Sequence, residues 1–356
     1  MVLTATAVSA EPTANITPTH VIELRPPGKK RKEPDPVDCV AFHPDGKTAY
    51  FGGGNGNGPG VLSAVDVKTG KTVWSNADHK QGIRCVAVSS DGKQIVTGAG
   101  CHEVKVWDVD GKLTKSLTLD WEHTNQVVFS PDGKWLAVSG DWLNVFDTSS
   151  FERVHDETKK GQFGMLGAFT PDSKSLIGSS AAAPGTIQFM TVGEWKLTEH
   201  KSKVEDLGYY HPALSSDGQR LATGTLRFRR FADDIHGTEV WAVKDGKLGE
   251  KVADIPDHCL GCSFTPDSKH LLLGEMRGEK VNRIRVYEAS TGKEIGSWVV
   301  TTRSADPRLS WAAGIDCLAV SPDGKTLASC DRDHAGKLWD LETILSDIKK
   351  AKDERK

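Results

Sequence analysis

Cys259-Leu260-Gly261-Cys262 is the only place in this 356-residue chain where two thiols stand three positions apart. That spacing suits half of a zinc site or a redox dithiol, but a structural zinc site needs a second pair. The other cysteines, Cys39, Cys85, Cys101, Cys317 and Cys330, are scattered, and the total of seven is odd, unlike a disulfide framework. The twelve histidines form no His-Glu-x-x-His, and there is no Gly-x-Ser-x-Gly elbow or phosphate-cradling glycine loop. Gly52-Gly53-Gly54-Asn55-Gly56-Asn57-Gly58 is glycine-rich, but it falls in a predicted hairpin rather than ahead of a helix. No cofactor, no metal and no catalytic residue are expected.

A different chemistry is written in Arg227, Phe228, Arg229, Arg230 and Phe231. Arginines interleaved with aromatics make interface anchors: the rings fill apolar pockets, and guanidinium groups pair bidentately with carboxylates or phosphates. Asp233 and Asp234 offer the opposite reading, neutralisation within the loop. Trp121, Arg308, Trp311 and Arg332 belong to loops expected to open on the same face, and complete the candidate partner-binding set. Lys29-Lys30-Arg31-Lys32 reads as a solvated loop, with a localisation signal or phosphate contact as the alternative. Forty-five Lys plus Arg against 48 Asp plus Glu leave a net charge of -3, which excludes a whole-surface nucleic-acid binder. No specific nucleic-acid partner is expected. No apolar run reaches 18 residues, so a soluble protein without a membrane span is expected.

What positions these residues is a repeat. An apolar strand running into a Pro-Asp-Gly-like turn recurs seven times, with its aspartates at Asp45, Asp91, Asp132, Asp172, Asp217, Asp267 and Asp323. Their spacings are 46, 41, 40, 45, 50 and 56 residues. Pro fixes φ, Asp bonds the local backbone and Gly accepts a positive φ, so each cluster is a turn, and its Asp a structural cap rather than an acid catalyst. Blades four and six put Ser173 and Ser268 in the glycine slot. The residue three before each Asp is large and apolar (Phe42, Val88, Phe129, Phe169, Leu214, Phe264, Val320), and a small residue precedes it in six of seven copies. Second and third strands follow each turn, and a second tight turn such as Asp110-Gly111-Lys112 leads to a fourth. Seven units of four strands predict an all-β, seven-bladed β-propeller of four-stranded antiparallel blades. On this repeat Cys259 and Cys262 fall on the inner-strand slots of Val37 and Val40, and Cys39, Cys85 and Cys317 share another, so buried apolar cysteines are expected.

These units resemble WD repeats. Two carry the family dipeptide, Trp107-Asp108 and Trp339-Asp340, each sixteen and seventeen residues after its turn Asp, and Phe146-Asp147 is a weaker version. The resemblance implies a buried tetrad of Trp, Ser/Thr, His and Asp in a blade. Blade two offers His79, Thr97 and Trp107 with Cys101 in the Asp slot, and blade seven offers Ser329, Asp333 and Trp339 with Trp311 in the His slot. No blade has all four, which marks a divergent member.

The last repeat ends at Trp339-Asp340 without a fourth strand, and Thr19 to Arg25 reads as the missing one, closing the ring from the N-terminus. Leu341, Ile344, Leu345 and Ile348 stand at helical spacing in the tail. The expected organisation is a flexible or leader-like segment over 1–17, the propeller over 18–341 and a short amphipathic C-terminal helix over 342–356. Met1 to Ala10 is either a frayed terminus or the remnant of an export leader, so a cytoplasmic location is favoured, with export the alternative. The function expected is a non-catalytic scaffold, a monomer, binding an acidic protein or peptide on its loop face. The alternative is a propeller enzyme of lactonase or hydrolase type, with its site at the mouth of the central channel.

Overall fold

Every one of the seven predicted turns forms, and the strands on its two sides pair antiparallel to begin a blade. The computed structural model describes residues 16–27, 35–54, 58–100, 102–120, 124–140, 142–156, 165–180, 185–201, 207–227, 235–257, 259–275, 281–302, 314–331 and 335–353.

A short strand β1 (His20–Ile22) precedes the first blade. Blade one comprises β2 (Val37–Phe42), β3 (Thr48–Gly54), β4 (Gly60–Asp66) and β5 (Thr72–His79). Blade two holds β6 (Ile83–Val88), β7 (Ile95–Ala99), β8 (Glu103–Trp107) and β9 (Leu113–Thr118). Blade three holds β10 (Gln126–Phe129), β11 (Trp135–Ser139), β12 (Leu143–Asp147) and β13 (Arg153–Asp156). Blade four runs β14 (Met165–Phe169), β15 (Ser175–Ser179), β16 (Thr186–Thr191) and β17 (Lys196–Lys201). Blade five runs β18 (Leu207–Leu214), β19 (Arg220–Arg227), β20 (Ile235–Lys244) and β21 (Lys247–Ile255). Blade six runs β22 (Cys259–Phe264), β23 (His270–Glu275), β24 (Val281–Glu288) and β25 (Lys293–Thr302). Blade seven takes β26 (Ile315–Val320), β27 (Thr326–Asp331) and β28 (Ala335–Asp340) from the C-terminal end and β1 as its outer strand.

Closure is therefore as the strand count requires. His20, Val21 and Ile22 lie opposite Leu338, Lys337 and Gly336, and Thr19 adds a backbone bond to Leu338 of 2.7 Å. Ile22 and Leu24 are buried in a core shared by blades seven and one. The chain then leaves blade seven as α1 (Leu341–Asp353). Asp340, the Asp of the second Trp-Asp pair, caps this helix by accepting from the Thr343 amide (3.0 Å) and hydroxyl (2.8 Å). Leu341, Ile344 and Ile348 bury its apolar face against Trp298 and Trp339.

Two sets of contacts lock each blade to the next. On the turn face, the turn of one blade meets the glycine slot of its neighbour: His43 Nε2 lies 3.2 Å from the Gly92 carbonyl, and Pro171 packs where a Cβ on Gly218 would stand 2.8 Å away. The two serines in the glycine slot adopt the same left-handed backbone, φ 58° each, which costs a non-glycine residue energy. Each repays it across the blade boundary. Ser173 Oγ accepts from the Asp132 amide (3.0 Å), and Ser268 Oγ from the Asp217 amide (3.1 Å). On the rim, outer-strand side chains clasp the following blade: Trp74 Nε1 donates to Val109 O (2.9 Å), Lys115 to Ser150 O (3.0 Å), and His155 stacks on Trp195 at 5.4 Å. His20 of the closing strand meets the Lys68 carbonyl of blade one at 3.1 Å in the same manner.

Candidate functional site

The seven turn aspartates are structural. In six of them a Ser or Thr two residues earlier donates to the carboxylate at 2.6–2.7 Å, and in all seven an amide two residues later donates as well. All seven carboxyls are held below their ordinary range. For Asp91, Asp172 and Asp323 a hydrogen bond is the strongest influence; for Asp45, Asp132, Asp217 and Asp267 burial opposes the shift and the hydrogen bonds outweigh it.

Blade two contains a buried chain built on its Trp. Trp107 Nε1 donates to Thr97 Oγ1 (2.8 Å), and Thr97 stands 2.7 Å from His79 Nε2. The other ring nitrogen, Nδ1, faces Glu103 at 3.6 Å. Cys101 lies outside the described residues, and Glu103 is the acid that stands beside the histidine. Burial is the main reason His79 is pushed down to about 3, with Lys105 adding to it and Glu103 opposing, so the ring is neutral. Among the described residues of blade seven, Trp339 Nε1 donates to Ser329 Oγ at 3.0 Å. Trp311 and Asp333, assigned there from sequence, lie outside the described residues.

A second pattern was not visible in the repeat motif. Two residues before the Trp position, every third strand buries a polar side chain: Ser63, Lys105, Asn144, Gln188, Glu239, Arg285 and Lys337. In five blades its partner is on the outer strand: Ser75 (2.9 Å), Asp156 (3.2 Å), Glu199 (3.0 Å), Lys251 (3.1 Å) and Glu294 (3.2 Å). In blade two Lys105 donates instead to the Asp78 carbonyl (2.6 Å), and in blade seven Lys337 pairs with the buried Asp331. Blade six extends the pattern most. Arg285 meets Glu275 (3.1 Å), Glu294 (3.2 Å) and Asp257 (3.3 Å), and Tyr287, at the Trp position, donates to Asp257. Burial disfavours the guanidinium's charge, but the carboxylates outweigh it and hold Arg285 above its usual value. Burial also leaves Glu294 above the ordinary carboxylate range.

On the face opposite the turns, the inner strands begin and the second strands turn into the third. The residue seven before each turn Asp lies within one position of the start of the inner strand, and it is Asp38, Arg84, Asn125, Met165 and Asp316 in blades one, two, three, four and seven. Blade five has the longest connection between second and third strands, seven residues between β19 and β20 against three in blades two, three and seven. Arg227 ends β19 opposite Leu207. Phe228, Arg229, Arg230, Phe231, Trp121, Arg308, Trp311 and Arg332 lie outside the described residues. Cys259 is fully buried beside Thr238 Oγ1 (3.3 Å), and Cys262 is half-buried beside the same core, as the repeat alignment required. Among the described residues no group of three or more His, Cys, Asp or Glu could hold a metal ion, and no helix is long and apolar enough to cross a membrane.

Seven four-stranded antiparallel blades, closed by an N-terminal strand and tied internally by Trp-to-hydroxyl bonds, define a seven-bladed β-propeller. The family described as WD domain, G-beta repeat matches residues 70–108, 111–144 and 306–340. Over those three stretches the chain is similar to WD repeats. It is similar to human transducin beta-like protein 2, 22% identical over 276 residues, covering 74% of this chain and 49% of that protein. It is also similar to mouse WD repeat-containing protein 55, 22% identical over 321 residues, covering 87% of this chain and 74% of that one. The chain spans about half the length of transducin beta-like protein 2. Among solved structures, a chain of Kuenenia stuttgartiensis hydrazine synthase superposes with a TM-score of 0.67 at 17% identity, covering 88% of this chain and 97% of that one. At that identity the likeness is one of fold.

Proposed function

We propose that this propeller is a non-catalytic platform that docks a protein or peptide segment on the face opposite its turns. The observation that carries the reading is the locked ring: turn contacts and rim clasps bind blade to blade, and β1 completes the circle. Such a frame holds one face rigid while its connections vary, and binding residues concentrate in loops set on a rigid scaffold. Inner-strand openings that differ from blade to blade, Asp38, Arg84, Asn125, Met165 and Asp316, suit selective docking better than one shared chemistry. The anchors are Arg227, Phe228, Arg229, Arg230 and Phe231 on the longest hairpin, supported by Trp121, Arg308, Trp311 and Arg332, and the partner is an acidic segment. The test is affinity capture from native lysate with the wild-type protein and with the variant Phe228→Ala, Arg229→Ala, Arg230→Ala. Loss of the captured partner at an unchanged melting temperature supports the reading. A variant that unfolds early yet keeps the partner overturns the site, and turnover of a lactone or ester by the wild type overturns the non-catalytic assignment.

A further inference from the structure

All seven cysteines fall within blades six, seven, one and two, and one pair among them is built differently from the rest. Six residues before the turn Asp, blades one, two and seven carry Cys39, Cys85 and Cys317. On the neighbouring strand, the residue facing Cys39 is Gly52 and the residue facing Cys85 is Gly98. A Cβ on Gly52 would stand 2.8 Å from Cys39 Sγ, and one on Gly98 2.7 Å from Cys85 Sγ, so those positions have no room for a side chain over the thiol. In blade seven the facing residue is Cys330. A second sulfur therefore sits where the other two blades have a bare backbone.

We propose that Cys317 and Cys330 form a modification site, a dithiol that a hydroperoxide converts to a disulfide across the first two strands of blade seven. Residues paired across antiparallel strands have Cα atoms about 4.5–5.5 Å apart, within the range that disulfides span. Both side chains lie on the face of blade seven that packs against Val37, Val40 and Phe51 of blade one, so they point the same way. Cys330 is fully buried and Cys317 half-buried, with Cys317 Sγ 4.0 Å from the Val40 carbonyl, so Cys317 is the less enclosed residue of the two. A hydrogen bond from Cys330 favours the Cys317 thiolate, while burial holds Cys330 protonated.

The steps balance without any further reagent. The Cys317 thiolate attacks one peroxide oxygen, the O–O bond breaks, and protonation of the departing oxygen yields water or an alcohol and a sulfenic acid at Cys317. Cys330 sulfur then attacks the Cys317 sulfur, the S–O bond breaks, and the departing hydroxide takes up the Cys330 proton as water. Two thiols are oxidised and one peroxide is reduced. The bond pins β26 to β27 beside the core that Ile22 and Leu24 complete, at the seam where the ring closes.

The experiment treats the folded full-length chain with hydrogen peroxide and counts free thiols after denaturation, with peptide mapping of any cross-link. The wild type should fall from seven thiols to five and yield one linked peptide pair, Cys317 with Cys330, reversed by dithiothreitol. Cys330→Gly, which installs the residue that blades one and two use, should lose that link and leave a sulfenic acid at Cys317 that dimedone traps. Cys317→Ser should show neither product. Seven surviving thiols in the wild type, a link between Cys259 and Cys262 instead, or loss of two of the six thiols of Cys330→Gly as a disulfide would each overturn the proposal.

Discussion

Blades two and seven both carry Trp-Asp and both fasten the indole to a second-strand hydroxyl, at 2.8 Å in Trp107 and 3.0 Å in Trp339. Beyond that bond they diverge. Blade two draws all four strands from consecutive sequence and continues the chain from Thr97 to a neutral His79. Blade seven borrows its outer strand from the N-terminus and relies on a buried ion pair, Lys337 with Asp331. Both also place a lysine where five other blades bury a group paired to the outer strand: Lys105 donates to the Asp78 carbonyl and Lys337 pairs with Asp331. What the family motif fixes is thus the indole–hydroxyl contact, and each blade completes the polar interior with whatever its neighbourhood supplies.

The largest expected effect is on the borrowed strand. Burying Ile22 and Leu24 is worth roughly 3–6 kcal/mol, a large part of the roughly 5–15 kcal/mol that holds a typical domain together. Deleting residues 1–27 should therefore cause aggregation or a large drop in melting temperature, and deleting 1–17 should not. A monomeric 28–356 fragment that melts like the full chain would remove the asymmetry between the two blades. Next comes Lys337→Met. It strands the Asp331 carboxylate, which has no exposure, and such losses run to about 3–5 kcal/mol in denaturant titrations. Adding Asp331→Leu should recover most of it, because an apolar pair avoids the desolvation cost. A double variant no better than the single would show that the pair is not the determinant.

These contrasts also mark what the sequence could reveal. The seven turns were legible because Asp, Gly and the residue two before Asp act within a few positions of each other. The closing strand followed from counting strands, and the cysteine slots from alignment of the repeats. Three features were not legible. Glu103 stands beside His79 although the motif's acid slot is Cys101, because which residue faces the ring depends on how the hairpin turns. Ser173 and Ser268 bond to amides 41 and 51 residues away, so a local motif shows only a missing glycine. The acid cage around Arg285 gathers Glu275 and Glu294 from two strands of blade six and Asp257 from the connection that leads into it. Of the candidate binding set, only the strand position of Arg227 falls among the described residues.

Acid should separate the two blades by a smaller margin. His79 is 1% exposed and pushed down to about 3, so the folded blade refuses a proton that the unfolded chain accepts below pH 6.5. The unfolded state then binds more protons, and stability falls as pH drops from 6.5 towards 3. By pH 5 the loss is about 2 kcal/mol, before the turn aspartates begin to protonate. His79→Gln should flatten this part of the stability–pH curve. If the curves of variant and wild type stay parallel between pH 7 and 5, His79 is not the acid-sensitive group.

The smallest difference, that between the two hydroxyls, tests the shared bond itself. Thr97 Oγ1 has two side-chain partners, accepting from Trp107 and bonded to His79 Nε2, whereas among the described residues Ser329 Oγ has one, Trp339. Thr97→Val preserves shape and removes the hydroxyl, leaving a buried indole N–H and a buried imidazole nitrogen without their bonds. Ser329→Ala leaves one such group. Each unsatisfied buried group costs about 1–3 kcal/mol, so Thr97→Val should destabilise the protein about twice as much as Ser329→Ala in the same denaturant titration. Combined with His79→Gln, whose amide cannot reproduce the ring's reach, Thr97→Val should cost less than the sum of the two single changes, because both break the same chain. Ser329→Ala combined with His79→Gln should be additive, since Ser329 lies in blade seven and His79 on the outer strand of blade one, with no hydrogen bond joining them among the described residues. Equal costs for the two hydroxyls, or additivity in the first pair, would mean that His79 and Thr97 do not act together and that blade two is held no differently from blade seven.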